Sequence, residues 1–423
     1  MRIVGVTGTN GKTSTVLALH QLGLHCGRQA VSISSEGIFV NRFKLATSVA
    51  ELGTDTHSIA ASIKAILETL PEDAWRIVEL TSLWLDQGLA REFEFAGGVL
   101  TSIGFDHLDV HGSQEKYVAT KTRFVSDLKD TCPVIVSPQT LGYLGAEFSI
   151  ADETKSDPWT VMLADIENSE TGHDLGPIRA ALDQFSEAQN DPCFIGNVAL
   201  AARCAVAIGE SPEAVAESMP LLLPPPGRYC RLKGPEGRCT VIDTAHNPEA
   251  VSAALKGAGK GTGDRLICIL GAGGGRDHRK RPMMARAAAD ASQVVIVTDD
   301  NARSEDPSAI RQDLLEGAPN ALEVSDRSDA IGLGLSMLEA GDGLVILGMG
   351  EDQWLDPSGA QVTDRDCVLS QAGWNQTSAH WPTIGEPRDR RAPTLAQDKL
   401  QVAGSSRAKP AAEHASTEPT GPA

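Results

Sequence analysis

Aromatic side chains are scarce, making up 4% of the 423 residues with only 3 tyrosines. No apolar run is long enough to span a bilayer, so no membrane partner is expected. Positive charge is also short: 37 Lys and Arg face 56 Asp and Glu, giving a formal net charge of -19. A surface made to bind phosphodiester backbone needs clustered Lys and Arg, so no nucleic-acid partner is expected, and the acidity reads as a device for solubility. The 8 cysteines include no CxxC pair, which excludes a zinc ribbon and gives no disulfide framework. Reduced thiols and a cytoplasmic setting are expected. The chain enters an apolar strand at residue 3, leaving no room for a signal peptide before it. No internal repeat is found.

Glycine, by contrast, is plentiful and well placed. Val6-Thr7-Gly8-Thr9-Asn10-Gly11-Lys12-Thr13 lies between an apolar run (Ile3, Val4, Val6) and a helix-like run from Ser14 to Leu24. Glycines at a strand-to-helix junction let backbone N–H groups approach phosphate oxygens, and the helix N-terminus adds positive partial charge. Lys12 would reach the outer phosphates and Thr13 would hold Mg²⁺. The common G-x-x-x-x-G-K-[ST] spacing needs glycine at position 6, where this chain has Val6, so a variant of the loop is implied. A glycine-rich turn without a ligand is the plain alternative; the Gly-Lys-Thr opening a helix favours a nucleotide.

Strand and helix signals alternate along the chain, which predicts an α/β protein with a parallel-rich sheet. Strands are expected at 30–33, 76–80, 98–103 and 133–136, and helices at about 55–70 and 114–128. The stretch 34–54 reads as polar and turn-rich, and 140–192 resists assignment. An Ala-rich helix is expected to open at Gly196-Asn197 and run to Gly209. Pro224-Pro225-Pro226-Gly227 punctuates the chain, dividing a central ATP-binding domain (1–223) from a smaller Rossmann-like domain (224–381). The second is expected to hold strands at 240–243, 266–270, 294–298 and 344–347, with helices from Pro248, Pro282 and Pro307. The remainder, 382–423, is rich in Pro, Ala, Ser, Glu and Arg and is expected to be a disordered tail.

Several side chains are candidates for chemistry. Glu79 ends a buried-looking strand, where ligands gather in open α/β sheets; it could hold the metal of a bound nucleotide, or simply cap the next turn. Asp106-His107-Leu108-Asp109-Val110-His111-Gly112 could bind a cation or be a polar turn. Lys121 has no local feature that separates it from an ordinary solvated lysine.

Together these motifs resemble the Mur ligases. The matching stretches are Thr7–Thr13, Glu79-Leu80-Thr81-Ser82, Asp106–Asp109 with His111-Gly112, and Pro226-Gly227-Arg228. Asp243-Thr244-Ala245-His246-Asn247-Pro248, Gly274-Gly275-Arg276-Asp277 with Lys280-Arg281-Pro282, and Thr298–Arg303 with Glu305-Asp306-Pro307 continue the match. Order and spacing are most similar to the MurE type, which adds the third residue of the cell-wall peptide. Ser34-Ser35-Glu36-Gly37-Ile38-Phe39-Val40 is also similar to the MurE-like half of cyanophycin synthetases. The resemblance covers residues 1 to about 355. It implies ATP and two Mg²⁺ ions, phosphorylation of a carboxylate to an acyl phosphate, and attack by an amino acid amine. It implies Gly8, Thr9, Asn10, Gly11, Lys12, Thr13, Ser14, Asn197, Arg228 and Asp243 at ATP. Lys12, Glu79, His107 and Lys121 would be catalytic, with Thr13, Glu79, His107 and a carbamylated Lys121 holding metal. Asp300, Asn301, Arg303, Gly348 and Asp352 would read the amino acid, an arginine there suiting a carboxylate.

The chain departs from the family in four places. It opens at the phosphate loop, which implies that the N-terminal domain holding the UDP-sugar is missing and that a partner chain could supply it. Ala302 replaces the proline of Asp-Asn-Pro-Arg. Gly348-Met349-Gly350-Glu351-Asp352 stands for Gly-Lys-Gly-His-Glu, and Ser102 for the asparagine before the metal histidine. The expected activity is therefore an ATP-dependent carboxylate–amine ligase with small-molecule substrates. The alternatives are a MurT-like amidating subunit fed by a glutaminase, against which the missing four-cysteine ribbon argues, and a non-catalytic ATP-binding scaffold.

Overall fold

The computed structural model describes residues 2–46, 52, 55–128, 132–144, 161–163, 175–189, 191–259 and 265–376; the tail expected at 382–423 lies outside the described residues. The first sheet has strands β1 (Arg2–Thr7), β2 (Ala30–Ser34), β3 (Gly37–Val40), β4 (Phe43–Ala46), β5 (Trp75–Glu79), β6 (Gly97–Leu100), β7 (Val134–Val136) and β8 (Val161–Leu163). Their order is β4-β3-β2-β5-β1-β6-β7-β8. The strands from β2 to β7 in that order are parallel, while β3, β4 and β8 add antiparallel edges. Helices α1 (Lys12–His25), α2 (Thr56–Leu67), α3 (Ser82–Asp86), α4 (Leu108–His111), α5 (Gln114–Leu128), α6 (Gly176–Gln189), α7 (Pro192–Ala207) and α8 (Pro212–Ser218) connect or cover it.

Both faces of this sheet are covered, which is why its strands read as continuous apolar runs rather than alternating ones. Val4, Val6, Ile77 and Val99 pack under Val16 and Leu19 of α1 and Val198 and Ala202 of α7. Ile3, Val31, Val78 and Leu100 face Ile63 and Ile66 of α2 and Phe124 and Val125 of α5. β1 lies between β5 and β6, so its carboxyl end opens where neighbouring loops diverge, the usual ligand position in such sheets.

The second sheet contains β9 (Cys230–Lys233), β10 (Cys239–Asp243), β11 (Leu266–Leu270), β12 (Val294–Val297), β13 (Leu322–Glu323), β14 (Gly343–Leu347) and, after a small hairpin of β15 (Trp354–Leu355) and β16 (Gln361–Val362), β17 (Asn375–Gln376). Its order is β13-β12-β11-β14-β10-β9-β17, parallel from β13 to β10 with β9 and β17 antiparallel. Helices α9 (Pro248–Gly259), α10 (Lys280–Ala291), α11 (Pro307–Gly317), α12 (Arg327–Ser336) and α13 (Asp364–Leu369) complete this unit. The α/β class with a parallel-rich first sheet and a Rossmann-like second sheet holds. No described helix is long and apolar enough to cross a membrane.

Three readings need correction. The stretch 34–54 contains β3 and β4, a hairpin turning at Asn41, whose φ is +51°; its strands, of four residues each, are too short to show a period. The Ala-rich helix begins at Pro192, not at Gly196. Asp191 caps it, its side chain accepting from Cys193 N at 2.9 Å, and proline is well tolerated in the first turn. Asn197 therefore sits inside α7. For the same reason α10 starts at Lys280, two residues ahead of Pro282.

Candidate functional site

The turn after β1 is shaped by two glycines. Gly8 (φ +147°) and Gly11 (φ +85°) lie in backbone regions that side chains disfavour. A Cβ at Gly8 would come within 2.0 Å of Thr101 Oγ1, and one at Gly11 within 2.3 Å of Asn197 Oδ1. The loop is strapped to the segment after β6: Thr9 N donates to Ser102 O (2.8 Å) and Asn10 N to Ser102 Oγ (2.8 Å). Ser102 Oγ also donates to Asn10 O at 3.0 Å. The serine in the family's asparagine position thus holds both backbone groups of Asn10.

Around this loop four of the expected chemical residues converge. Thr13 Oγ1 donates to Glu79 Oε2 at 2.9 Å, and Ser35 N donates to the same oxygen at 3.0 Å. Lys12 Nζ folds onto Thr9 O at 2.9 Å. Burial lowers the Lys12 pKa, opposed by Glu79 and Asp106. Lys121, 1% exposed, donates to Gly8 O at 2.7 Å, with its Nζ 4.8 Å above the Tyr117 ring. Its pKa lies well below the ordinary lysine value, first from burial and then from the charge of Lys12. Tyr117 OH donates to Thr9 Oγ1 at 2.9 Å, so one ring supports both the lysine and the loop. A lone tyrosine within a helical run gave no signal of this in the sequence.

His107 caps α4 in a left-handed conformation, φ +55°. Burial lowers its pKa, and Asp106 works against that. The rest of its sequence cluster does not converge. His111 is buried edge-on to Tyr117, and Asp109 is exposed. Asp106 is 3% exposed and pairs with Lys280 Nζ at 2.8 Å. Among the described residues no group of three or more His, Cys, Asp or Glu side chains is placed to hold a metal ion by itself. The donor set at Thr13 and Glu79, a hydroxyl and a carboxylate beside a phosphate-type loop, fits Mg²⁺, which is usually held by one or two protein oxygens plus phosphates and water.

A cleft of about 710 Å³ opens on the other side of the loop, lined by Asn10, Gly11, Ser14, Asn197, Arg228 and Asp243 among others. It gathers residues from both sheets. Asn197 Oδ1 accepts from Thr15 Oγ1 at 3.3 Å. Asp243 accepts from Tyr229 N at 2.8 Å, and burial raises its pKa against the pull of Arg228. Arg228 Nε is buried without a hydrogen-bond partner among the described residues. The two sheets also meet at the loop itself: Asn10 and Asn247 exchange amide hydrogen bonds of 3.0 and 2.8 Å. Asn247 is fully buried.

Asp300, Asn301 and Arg303 follow β12, and Gly348 and Asp352 follow β14, at the carboxyl ends of strands that flank β11. Gly348 (φ +112°) passes so close to Asp300 that a Cβ would lie 2.4 Å from its Oδ2. Arg303, itself left-handed at φ +52°, donates to Gly274 O. Burial and then Asp300 raise the Asp352 pKa, while Arg228 and Arg303 lower it. These residues therefore share one electrostatic neighbourhood with the cleft arginine.

The family named Mur ligase middle domain matches residues 6–167, and that named Mur ligase, glutamate ligase domain matches residues 227–350. The UDP-N-acetylmuramoyl-L-alanyl-D-glutamate–2,6-diaminopimelate ligase of Ectopseudomonas mendocina is 32% identical over 396 residues, spanning 90% of this chain and 78% of that protein. Its namesake in Caulobacter vibrioides is 31% identical over 370 residues, spanning 83% and 74%. In fold, the chain is similar to the bifunctional folylpolyglutamate synthase/dihydrofolate synthase of Yersinia pestis solved with AMPPNP and Mn. The TM-score is 0.54 at 17% identity, covering 82% of this chain and 86% of that one.

Proposed function

The chain belongs to the Mur ligase family and is a ligase that forms C–N bonds; from that premise we propose how its own residues bind ATP and Mg²⁺ and join an amino acid to a carboxylate. The observation that carries this is the glycine loop with Thr13 bound to Glu79 on one flank and the buried Lys121 on the other.

A carboxylate is a poor electrophile at neutral pH. Its oxygen attacks the γ-phosphorus of ATP, the bond to the β,γ-bridging oxygen breaks, and ADP leaves. The neutral amine then bonds to the acyl carbon, phosphate departs, and the amine gives up a proton. Every partner in the first step is anionic, so the site must supply positive charge and hold the groups in line. Lys12, released from Thr9 O, would reach the outer phosphates. Thr13 and Glu79 would hold Mg²⁺, which neutralises phosphate charge when bound, and His107 with Glu79 a second ion. Asn197, Ser14, Arg228 and Asp243 would line the nucleotide's other end in the cleft. A neutral, buried Lys121 amine can bond to CO₂ and release a proton, becoming a carboxylate that adds a metal ligand.

Asp300, Asn301, Arg303, Gly348 and Asp352 would read the incoming amino acid, with Arg303 gripping its carboxylate. Two relatives are named as diaminopimelate ligases. The acidic Glu351-Asp352 in this chain, where the MurE motif has His-Glu, supports a different amine donor. A cytoplasmic enzyme would draw its ATP directly from the cell's pool.

The test is release of ADP and phosphate from ATP and Mg²⁺ with pooled carboxylates and amino acids. Turnover that requires both pools is expected. Turnover that never responds to any added carboxylate would reject the reading.

A further inference from the structure

Asp106 is a buried carboxylate held by the opposite half of the molecule. A charge removed from water must be paired. Among the described residues of its own unit, His107 makes the one ion-pair contact, with Nε2 3.8 Å from Asp106 Oδ2, while Lys12 and Lys121 act on Asp106 from further away. The short contact comes from the second unit: Lys280 Nζ, at the start of α10, lies 2.8 Å from Oδ1, with side chains 9% and 4% exposed. His246 Nε2, from the loop after β10, approaches Oδ2 at 3.7 Å. The same Oδ1 accepts the backbone N–H of His107 at 3.0 Å. That backbone is left-handed (φ +55°), a conformation disfavoured for a residue with a Cβ unless its surroundings hold it. One oxygen thus bonds both the other unit's lysine and the peptide that sets the direction of His107.

We propose that Lys280 is a positioning residue: through Asp106 it makes the placement of His107 conditional on the seating of the second sheet against the first. Two neighbouring contacts run the same way. Phe105 N donates to Glu249 Oε1 of α9 at 3.1 Å, and Asn247 locks to Asn10 of the phosphate loop. A cation that merely balanced charge would not need to come from α10. This one arrives with the unit that carries the amino-acid site, so the catalytic histidine is placed only when that unit is home. The inference rests on the ligase reading for the role of His107 alone; the coupling itself can be tested without any substrate.

The measurement is amide hydrogen exchange of the full chain, read over 104–112 and separately over β11 and β12. Replacing the ammonium while keeping the stem, in Lys280→Met, is expected to speed exchange over 104–112 about tenfold or more and leave β11 and β12 unchanged. Lys280→Arg is expected to restore slow exchange. Asp106→Asn reaches the same end from the other side, and adding Lys280→Met to it should change nothing further if the two act as one pair. Exchange over 104–112 that stays slow in both single variants would overturn the proposal. So would a Lys280→Met effect confined to α10 and β11, or effects that add in the double variant. Because no turnover is measured, failure of the coupling is separable from failure of the ligase assignment.

Discussion

At the scale of single residues, Lys121 is in an environment unlike that of a surface lysine. It is 1% exposed, bound to one backbone oxygen, placed over an aromatic ring, and near a second lysine. The Gly8 carbonyl, the Tyr117 face and the carboxylates of Asp106 and Glu79 favour its charged form, but burial and the charge of Lys12 outweigh them, a balance that suits an amine available for modification. Lys121→Met is expected to lower ligase turnover by about 10² or more, the scale for losing one group that stabilises developing charge. AMPPNP affinity should change little. A variant with unchanged turnover would remove Lys121 from the chemistry. His20 offers a test of stability at the same scale. It is buried in α1, bonds Asn41 O through Nε2 at 2.6 Å, and burial lowers its pKa to about 4 from 6.5. A base with a lowered folded pKa leaves the unfolded chain holding more protons between those values, so stability falls as pH drops from 6.5 to about 4. The loss amounts to about 3 kcal/mol. Urea titrations between pH 7 and 4 should show that slope in the native chain and a flatter one in His20→Gln.

At the scale of elements, the phosphate loop joins residue types to shape. Gly11→Ala places a methyl at φ +85° and 2.3 Å from Asn197 Oδ1. Relief requires either the loop or Asn197 to move, and a strained backbone alone costs about 1–3 kcal/mol. AMPPNP affinity measured by calorimetry is expected to fall about tenfold or more; unchanged affinity would mean that the loop does not cradle phosphate. This loop was legible from the sequence because glycine, lysine and threonine each have a separate physical reason for their position. The parallel strands were legible because burial on both faces leaves runs such as Leu266–Leu270 and Val294–Val297 with few interruptions. The β3–β4 hairpin was not, because strands of four residues are too short for a period to stand out. Asn197 was misplaced on its helix because an Ala-rich run marks a helix interior and hides where it starts; the true signal was Asp191 before Pro192. The roles of Tyr117 and of Ser35, the latter legible only as part of a family-like stretch, were invisible for another reason. They come from contacts to Thr9 and Glu79 across 108 and 44 positions, and no local pattern records such pairs.

At the scale of the whole molecule, each sheet has its own cores, Val4, Ile77 and Val198 belonging to the first sheet and Val241, Leu270 and Val345 to the second. The second unit is also pinned by a buried ion pair. Arg327 on α12 makes two bonds to Asp364 on α13, at 2.6 and 2.7 Å, with side chains 3% and 0% exposed. The remaining guanidinium donors reach Asp299 O and Leu347 O, at 3.2 and 3.1 Å. Those carbonyls belong to the residues just before Asp300 and Gly348, so the pair fixes the two strand ends on which the proposed amino-acid site is built. Arg327→Met leaves Asp364 buried and unpaired, a change that typically costs about 3–5 kcal/mol. Replacing both, as Arg327→Met with Asp364→Leu, removes the charge imbalance and should recover part of that loss. Because the cores are distinct, the cost is expected in the unfolding of the second unit alone. Denaturant unfolding followed by limited proteolysis should therefore show 230–376 becoming cleavable at lower urea while 2–128 keeps its native midpoint. Equal shifts in both segments would mean that the sheets unfold as one cooperative block, held together by the contacts at Asn10 and Asp106.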